Sequence, residues 1–254
     1  MTRLQDKVAI ITGGAGGIGI AAARKFVAEG AKVLLVDLDR EALANAAGEL
    51  GDEAAWCVAD VSDPEETRAY VRSALEAFGG VDILLANAGV EGSVTPIVDQ
   101  DVEMFDKVLA VNVRGAWLGL KYTIPEITKR GGGSVIITSS VAGIHGSPGL
   151  SPYVTSKHAV IGMMRSAALE CAPHNIRVNT VNPSPVETRM MRSLEEGIMP
   201  GNAPSAHDAI AATIPLGRYG EPSDVADLMC FLASDEAGFL TGGVYMVDGG
   251  VSAR

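Results

Sequence analysis

Between a β-rich run, Lys7–Thr12 (KVAIIT), and a helical pattern that lasts to Gly30 stands Gly-Gly-Ala-Gly-Gly-Ile-Gly, residues 13–19. Strand, glycine turn and helix in that order narrow the possible folds more than any other stretch. Glycine lets the main chain turn tightly and approach a ligand with no Cβ in the way. A helix that opens near Gly17-Ile18-Gly19 aims free N–H groups at whatever lies before it, which suits a pyrophosphate. A glycine-rich turn alone is weak evidence. Here the next strand, Lys32–Asp37 (KVLLVD), closes on an acid at the distance a ribose partner occupies in dinucleotide folds. Gly13, Gly17, Ile18, Gly19 and Asp37 are therefore read as a dinucleotide cradle.

The same alternation continues down the chain. Helix is expected over Arg40–Leu50, strand over Ala54–Ala59, and helix from Asp63-Pro64-Glu65-Glu66 to Phe78, with a capping acid, a first-turn proline and first-turn acids. Strands follow at Val81–Ala86, Ser134–Ser139, Ile176–Val181 and Val244–Val247. Between them lie helices from about Asp101 to Lys129, from Pro152 onward, and from Glu221 to about Ser234. Strands alternating with helices pair in parallel through right-handed crossovers, with both sheet faces covered. The expectation is one α/β domain over residues 1–254, a doubly wound Rossmann fold with a seven-stranded parallel sheet. Residues 186–216, with three prolines, two glycines, Met190, Met191 and Met199, show weak periodicity and read as a mobile lid over a substrate.

Composition excludes several classes. A chain of 254 residues at 47% hydrophobic content can bury a large core, and a net charge of −11 argues against nucleic acid or an anionic membrane. Cys57, Cys171 and Cys230 show no CxxC spacing, and the four histidines no ligand spacing, so neither a disulfide framework nor a catalytic metal is expected. Arg3 and Lys7 before the uncharged run 8–23 mimic a secretory leader, but Asp6 and five glycines break the pattern. The segment reads as folded structure and the location as cytoplasmic.

The chemistry is expected around Ser139–Lys157. Tyr153 and Lys157 stand four apart and share one helix face. An ammonium about 5 Å from a phenol favours the phenolate by roughly 3 kcal/mol at an effective dielectric of ~20, about 2 pKa units. That draws the tyrosine toward proton exchange near neutral pH.

Taken together, Thr12-Gly13-x-x-x-Gly17-x-Gly19, Asn87-Ala88-Gly89, Asn112, Ser140, Tyr153-x-x-x-Lys157 and the terminal Asp248-Gly-Gly resemble the short-chain dehydrogenase/reductase family over essentially the whole chain. The resemblance implies a hydride transfer between NAD(H) and a secondary alcohol or ketone, with a small apolar substrate. Tyr153 would be the general acid/base, Lys157 would tune it and hold the nicotinamide ribose, and Ser140, rather than Ser139, would orient the substrate oxygen. Asn112 would keep a water on a proton relay. Asp60 and Val61 would lie against adenine, Asn87 and Gly89 would line the cofactor, and Val186 and Thr188 would reach the carboxamide. It also implies a homotetramer, with Val244 and Met246 on a dimer surface. Asp37 would favour NAD by binding both ribose hydroxyls and repelling a 2′-phosphate, for which Arg40 is the nearest basic candidate. In two places the chain departs from the family: Ala86 precedes Asn87-Ala88-Gly89 where a second asparagine is common, and Ser184 stands in Asn182-Pro183-Ser184-Pro185 where a glycine is usual. Two other readings are an NAD(H)-binding regulatory protein, which would not need the Ser140/Tyr153/Lys157 set, and a dehalogenase-like lyase, which would abandon the nucleotide site.

Overall fold

The computed structural model describes residues 2–253; Met1 and Arg254, the ends of the expected domain, lie outside the described residues. In chain order the elements are β1 (Val8–Thr12), α1 (Gly17–Ala28), β2 (Lys32–Asp37), α2 (Arg40–Leu50), β3 (Ala54–Val58), α3 (Pro64–Phe78) and β4 (Ile83–Ala86). There follow α4 (Val102–Leu109), α5 (Ala116–Lys129), β5 (Gly133–Thr138), α6 (Ser151–Cys171) and β6 (Ile176–Pro183). The last part holds α7 (Arg189–Ile198), α8 (Ala203–Ala211), α9 (Pro222–Ala233) and β7 (Val244–Val247).

All seven strands join one parallel sheet in the order β3-β2-β1-β4-β5-β6-β7. Two-residue periodicity splits each strand between the sheet faces. In β2, Val33 and Leu35 enter a core with Phe26 of α1 and Val225 and Met229 of α9. Leu34 and Val36 enter the opposite core with Tyr70 of α3, Leu120 of α5 and Met164 of α6. Helices thus cover both faces, as the near-continuous apolar strands require. The chain leaves β1 toward β2 and β3, then returns to lay β4 on β1's other side. That reversal opens a crevice beyond the carboxyl ends of β1 and β4, where ligands bind in sheets of this kind.

Local chemistry sets the boundaries. The Asp63 carboxylate accepts from Glu65 N and Glu66 N at 2.7 and 2.9 Å, and Gly79 ends α3 in the left-handed region at φ 78°. Between α4 and α5 the expected continuous helix widens into a π turn, Ala110–Gly115, with Asn112 inside it. Such turns recur at functional sites.

Residues 186–216 differ from the reading as an irregular segment, because they contain α7 and α8. Thr188 caps α7, Pro204 stands in the first turn of α8 where a missing N–H is harmless, and Pro200-Gly201 make the connection. The prolines that suggest irregular chain stand where helices begin or turn.

Candidate functional site

The floor of the crevice is main chain. Gly13 follows β1 at φ 65°, and a Cβ there would lie 2.9 Å from Ala88 Cα. Gly19 is tighter still: a Cβ would fall 2.1 Å from Gly13 O. No side chain caps α1, and no acid occupies its first turn, so its leading N–H groups are left for a ligand. Asn87 secures the turn from β4. Its Nδ2 donates to Thr12 O at 3.2 Å and Gly13 O at 3.3 Å, and its Oδ1 accepts from Thr138 Oγ1 at 3.0 Å. Thr12 Oγ1 in turn accepts from Asn87 N and Ala88 N at 3.0 and 3.1 Å. The Asn87 amide is thus engaged in holding β1, β4 and β5 together beneath the cradle.

Asp37 ends β2 and turns back to the glycines, one carboxylate oxygen accepting from Ala15 N at 3.1 Å and the other from Leu38 N at 2.7 Å. Asp39, accepting from Ala42 N at 3.0 Å, is the cap of α2, so Asp37 is not needed for that task. Farther along the rim, Asp60 Oδ1 accepts from Ser62 N and Oγ at 2.8 and 2.7 Å. The Val61 side chain is buried, against Gly115, where a Cβ would stand 2.7 Å from Val61 Cγ2. From the other side, Thr188 Cγ2 lies 3.1 Å from where a Gly17 Cβ would be, and Val186 bridges to Gly220. A dinucleotide fits this cradle: added Cβ atoms would clash in the turn, and no side chain caps the leading N–H groups of α1.

Above the end of β5, side chains converge. Tyr153 and Lys157 come from the start of α6, with Lys157 Nζ 5.4 Å from the tyrosine ring centroid. Ser140 lies close enough to the Tyr153 phenol to act on its protonation, while its own hydroxyl donates to Pro183 O at 3.4 Å; it is held by Ala142 N, which donates to its Oγ at 3.1 Å, and by Asn182 Nδ2, which donates to its carbonyl at 3.1 Å. Ser139 is turned away, its hydroxyl donating to Lys157 O at 2.9 Å within the core. Of the two serines, only Ser140 faces the phenol. Lys157 is buried and donates to Thr138 O at 2.8 Å. Asn112, also buried, accepts from Val90 N at 2.8 Å and donates to Val90 O and Ser156 Oγ, both at 2.9 Å. A Cβ on Gly89 would lie 3.3 Å from Asn112 Oδ1 and 3.5 Å from Lys157 Nζ, so the loop after β4, the π turn and α6 meet at that glycine.

The electrostatics correct one expectation. Burial pushes the Tyr153 phenol up to about 12; its contact with Ser140 acts downward and the nearby Glu91 carboxylate acts upward. Burial also lowers the Lys157 ammonium to about 8. Here removal from water outweighs the attraction that an exposed Tyr/Lys pair would show. Spacing on a helix gives the distance but not the desolvation. Sequence reasoning also missed Ser156, Thr138 and Asn182, which orient Asn112, Lys157 and Ser140. The sequence carried little trace of them: Asn182, for example, is one of several polar residues in β6, with Arg177, Asn179 and Thr180.

Next to Ser140 lies a cavity of about 410 Å³ bounded by Val141, Ala142, His145, Thr213 and Val251. His145 is exposed and reaches its wall. A larger recess, about 570 Å³, runs along α2 and β3 beside Trp56, away from all these groups. Its position on the outer edge of the sheet sets it apart from the crevice.

Residues 13–252 match the family model described as enoyl-(acyl carrier protein) reductase. The chain belongs to the short-chain dehydrogenase/reductase family. It is 38% identical over 257 residues to levodione reductase of Leifsonia aquatica, covering 99% of this chain and 96% of that one. It is 34% identical over 255 residues to cyclohexanol dehydrogenase of Acinetobacter sp. (strain SE19), covering 99% and 97%. A solved structure of levodione reductase superposes with a TM-score of 0.97 at 36% identity, over 99% of this chain and 100% of that one. Family membership makes this chain an oxidoreductase that uses a nicotinamide cofactor.

Proposed function

We propose that the protein is an NAD(H)-dependent dehydrogenase that interconverts a small, largely apolar secondary alcohol and its ketone. The observation that carries this reading is the contact of Tyr153 with Ser140, with Lys157 beneath it, at the mouth of the glycine cradle. The kinship to a ketone reductase and a cyclic-alcohol dehydrogenase points to the same substrate class.

In this reading a nicotinamide held by the cradle would supply or accept the hydride. Tyr153 gives its phenolic proton to the carbonyl oxygen during reduction and takes the hydroxyl proton during oxidation. Ser140, held from β6 and from its own turn, donates to that oxygen and fixes its place beside the phenol. Lys157 holds the nicotinamide ribose and shares the phenol's proton. Asn112, anchored to Val90 and Ser156, keeps a relay water next to Lys157 and Gly89. The glycine turn and α1's N–H groups receive the pyrophosphate, with Asp60, Val61 and Asn87 along the rim and Val186 and Thr188 opposite.

Preference for NAD rests on Asp37, whose carboxylate would accept from ribose hydroxyls and oppose a 2′-phosphate. One like-charge pair at ~5 Å amounts to roughly 3 kcal/mol at an effective dielectric of ~20. Arg40, the basic residue nearest to Asp37 in the sequence, has its guanidinium engaged 5.3 Å from the Trp56 ring centroid. The remaining parts of the proposal are a homotetramer, a cytoplasmic location, and residues 186–216 as a cover that orders over substrate. Among the described residues no helix is long and apolar enough to cross a membrane.

The test is a panel of secondary alcohols and ketones followed by NADH absorbance. Turnover of at least one cyclic alcohol with NAD is expected. NAD binding without turnover of any alcohol would favour a regulatory protein instead.

A further inference from the structure

The α7–α8 cover is held by little apolar contact. Leu194 and Glu195 are the buried residues of α7, and Ala206 that of α8. In place of a core there is a charged network that the proposed chemistry does not use. Arg192 pairs with Glu187, and its Nη1 lies 3.0 and 2.7 Å from the two carboxylate oxygens of Glu195. The Glu195 side chain is 1% exposed, beside the buried Tyr219. His207 of α8 places Nε2 3.0 Å from Glu187 Oε1 and stacks on Tyr219 with ring centroids 4.3 Å apart.

One guanidinium therefore serves two carboxylates, one of them removed from water. A buried carboxylate without a partner is strongly unfavourable, and a planar fork is the group best shaped to hold two acceptors. The network also has a fixed base. Glu187 N donates to Gly220 O at 2.9 Å, and Glu187 lies between Val186 and Thr188, the latter against Gly17 of the cradle. The far end of α7 crosses to the loop after β4, where a Cβ on Gly197 would stand 2.9 Å from Val94 Cγ2. Thr213, just past α8, lines the cavity beside Ser140. The cover is thus pinned at one end by charge and touches the opposite wall at the other.

We propose that Arg192 is a positioning residue: acting through Glu187 and Glu195, it sets how the α7–α8 cover sits over the substrate cavity, and so governs KM for the alcohol or ketone rather than the rate of hydride transfer. This rests on the proposed reading of residues 186–216 as a cover over the substrate, with the cavity beside Ser140, which Thr213 lines, as the substrate's place. Removing the guanidinium loosens the cover without touching the cradle, Ser140, Tyr153 or Lys157.

The experiment compares wild type, Arg192→Met and Arg192→Lys by hydrogen exchange of the ligand-free protein, NADH fluorescence titration and steady-state kinetics. Arg192→Met should speed exchange across residues 189–211 and leave the sheet unchanged. It should raise substrate KM about tenfold, the size of one broken contact network, with kcat and NADH affinity within about twofold. Arg192→Lys should recover only part of the loss, since an ammonium still pairs with Glu195 but cannot hold both carboxylates as the planar fork does. Unchanged exchange and KM in Arg192→Met, or a fall in kcat at constant KM, would overturn the proposal. If Arg192→Met does not fold, Glu187→Gln keeps the shape and removes one charge; faster exchange in 189–211 with a roughly threefold higher KM supports the proposal, and wild-type values overturn it. Exchange in the ligand-free protein reads the network by itself. A wild type that turns over no alcohol would thus count against the substrate reading, while faster exchange in the variant would still locate the latch.

Discussion

The two ends of the crevice are made of different material. At the β1–β2 end the binding surface is backbone: a left-handed glycine, a helix start without a cap, and an asparagine whose amide is engaged in bracing the turn. At the β5–α6 end it is side chains: a phenol, a hydroxyl and an ammonium, each partly or fully withdrawn from water and each oriented by a neighbour. In the proposed mechanism the first end would recognise by shape and respond to added volume, and the second would act by charge and protonation and respond to single atoms. Cofactor affinity and chemical rate should therefore be separable by mutation.

Tyr153→Phe makes the sharpest separation. Losing one oxygen removes the proton donor and leaves the ring packed, so turnover should fall by at least about a hundredfold, within the range of general acid/base catalysis. NADH affinity, followed by fluorescence, should stay within about twofold. Residual turnover above about a tenth of wild type would remove Tyr153 from the mechanism.

The complementary change is Gly19→Ala, which adds a methyl 2.1 Å from Gly13 O. The turn must open, at a strain of about 2 kcal/mol, which is roughly thirtyfold in NADH affinity. Saturating cofactor should restore most of kcat. Wild-type affinity in this variant would show that the turn does not grip the cofactor.

A smaller effect is expected at the edge of the cradle. Wild type should prefer NAD over NADP by at least about 100-fold in kcat/KM, and Asp37→Ala should narrow that ratio by more than about tenfold, since each ~1.4 kcal/mol is a factor of ten. Equal kcat/KM for both cofactors in wild type would overturn the assignment of Asp37.

The difference between the two ends also explains what could be read from sequence. The cradle was legible because glycines in a turn and an acid at a strand end are marks of main-chain geometry, and the sheet because apolar strands such as KVLLVD alternate with helices. Tyr153, Lys157 and Ser140 were singled out by spacing and by family resemblance; the structure places Ser140 beside the phenol and turns the Ser139 hydroxyl to Lys157 O. What stayed hidden depends on contacts distant in sequence. Asn182 Nδ2 reaches the Ser140 carbonyl across 42 residues, and Asn112 Nδ2 reaches Ser156 Oγ across 44. The α7–α8 helices were hidden for another reason: Pro200 and Pro204 read as breakers, while the structure puts one in a connection and the other in a first turn.

The most direct test of the account is the pH dependence of kcat/KM for alcohol oxidation in wild type and Lys157→Met. In the proposed mechanism, oxidation needs the Tyr153–Lys157 pair to have lost one proton, and burial lowers Lys157 to about 8 while holding the phenol at about 12. The first proton therefore leaves the pair near pH 8, a value that belongs to both groups together. Log kcat/KM should rise with unit slope below about pH 8 and level off above it, and ketone reduction should show the opposite limb. Lys157→Met leaves the phenol alone, so its rising limb should move up by at least one pH unit. A limb near 8 that is unchanged in Lys157→Met would contradict the claim that these two residues handle the substrate's proton as a pair.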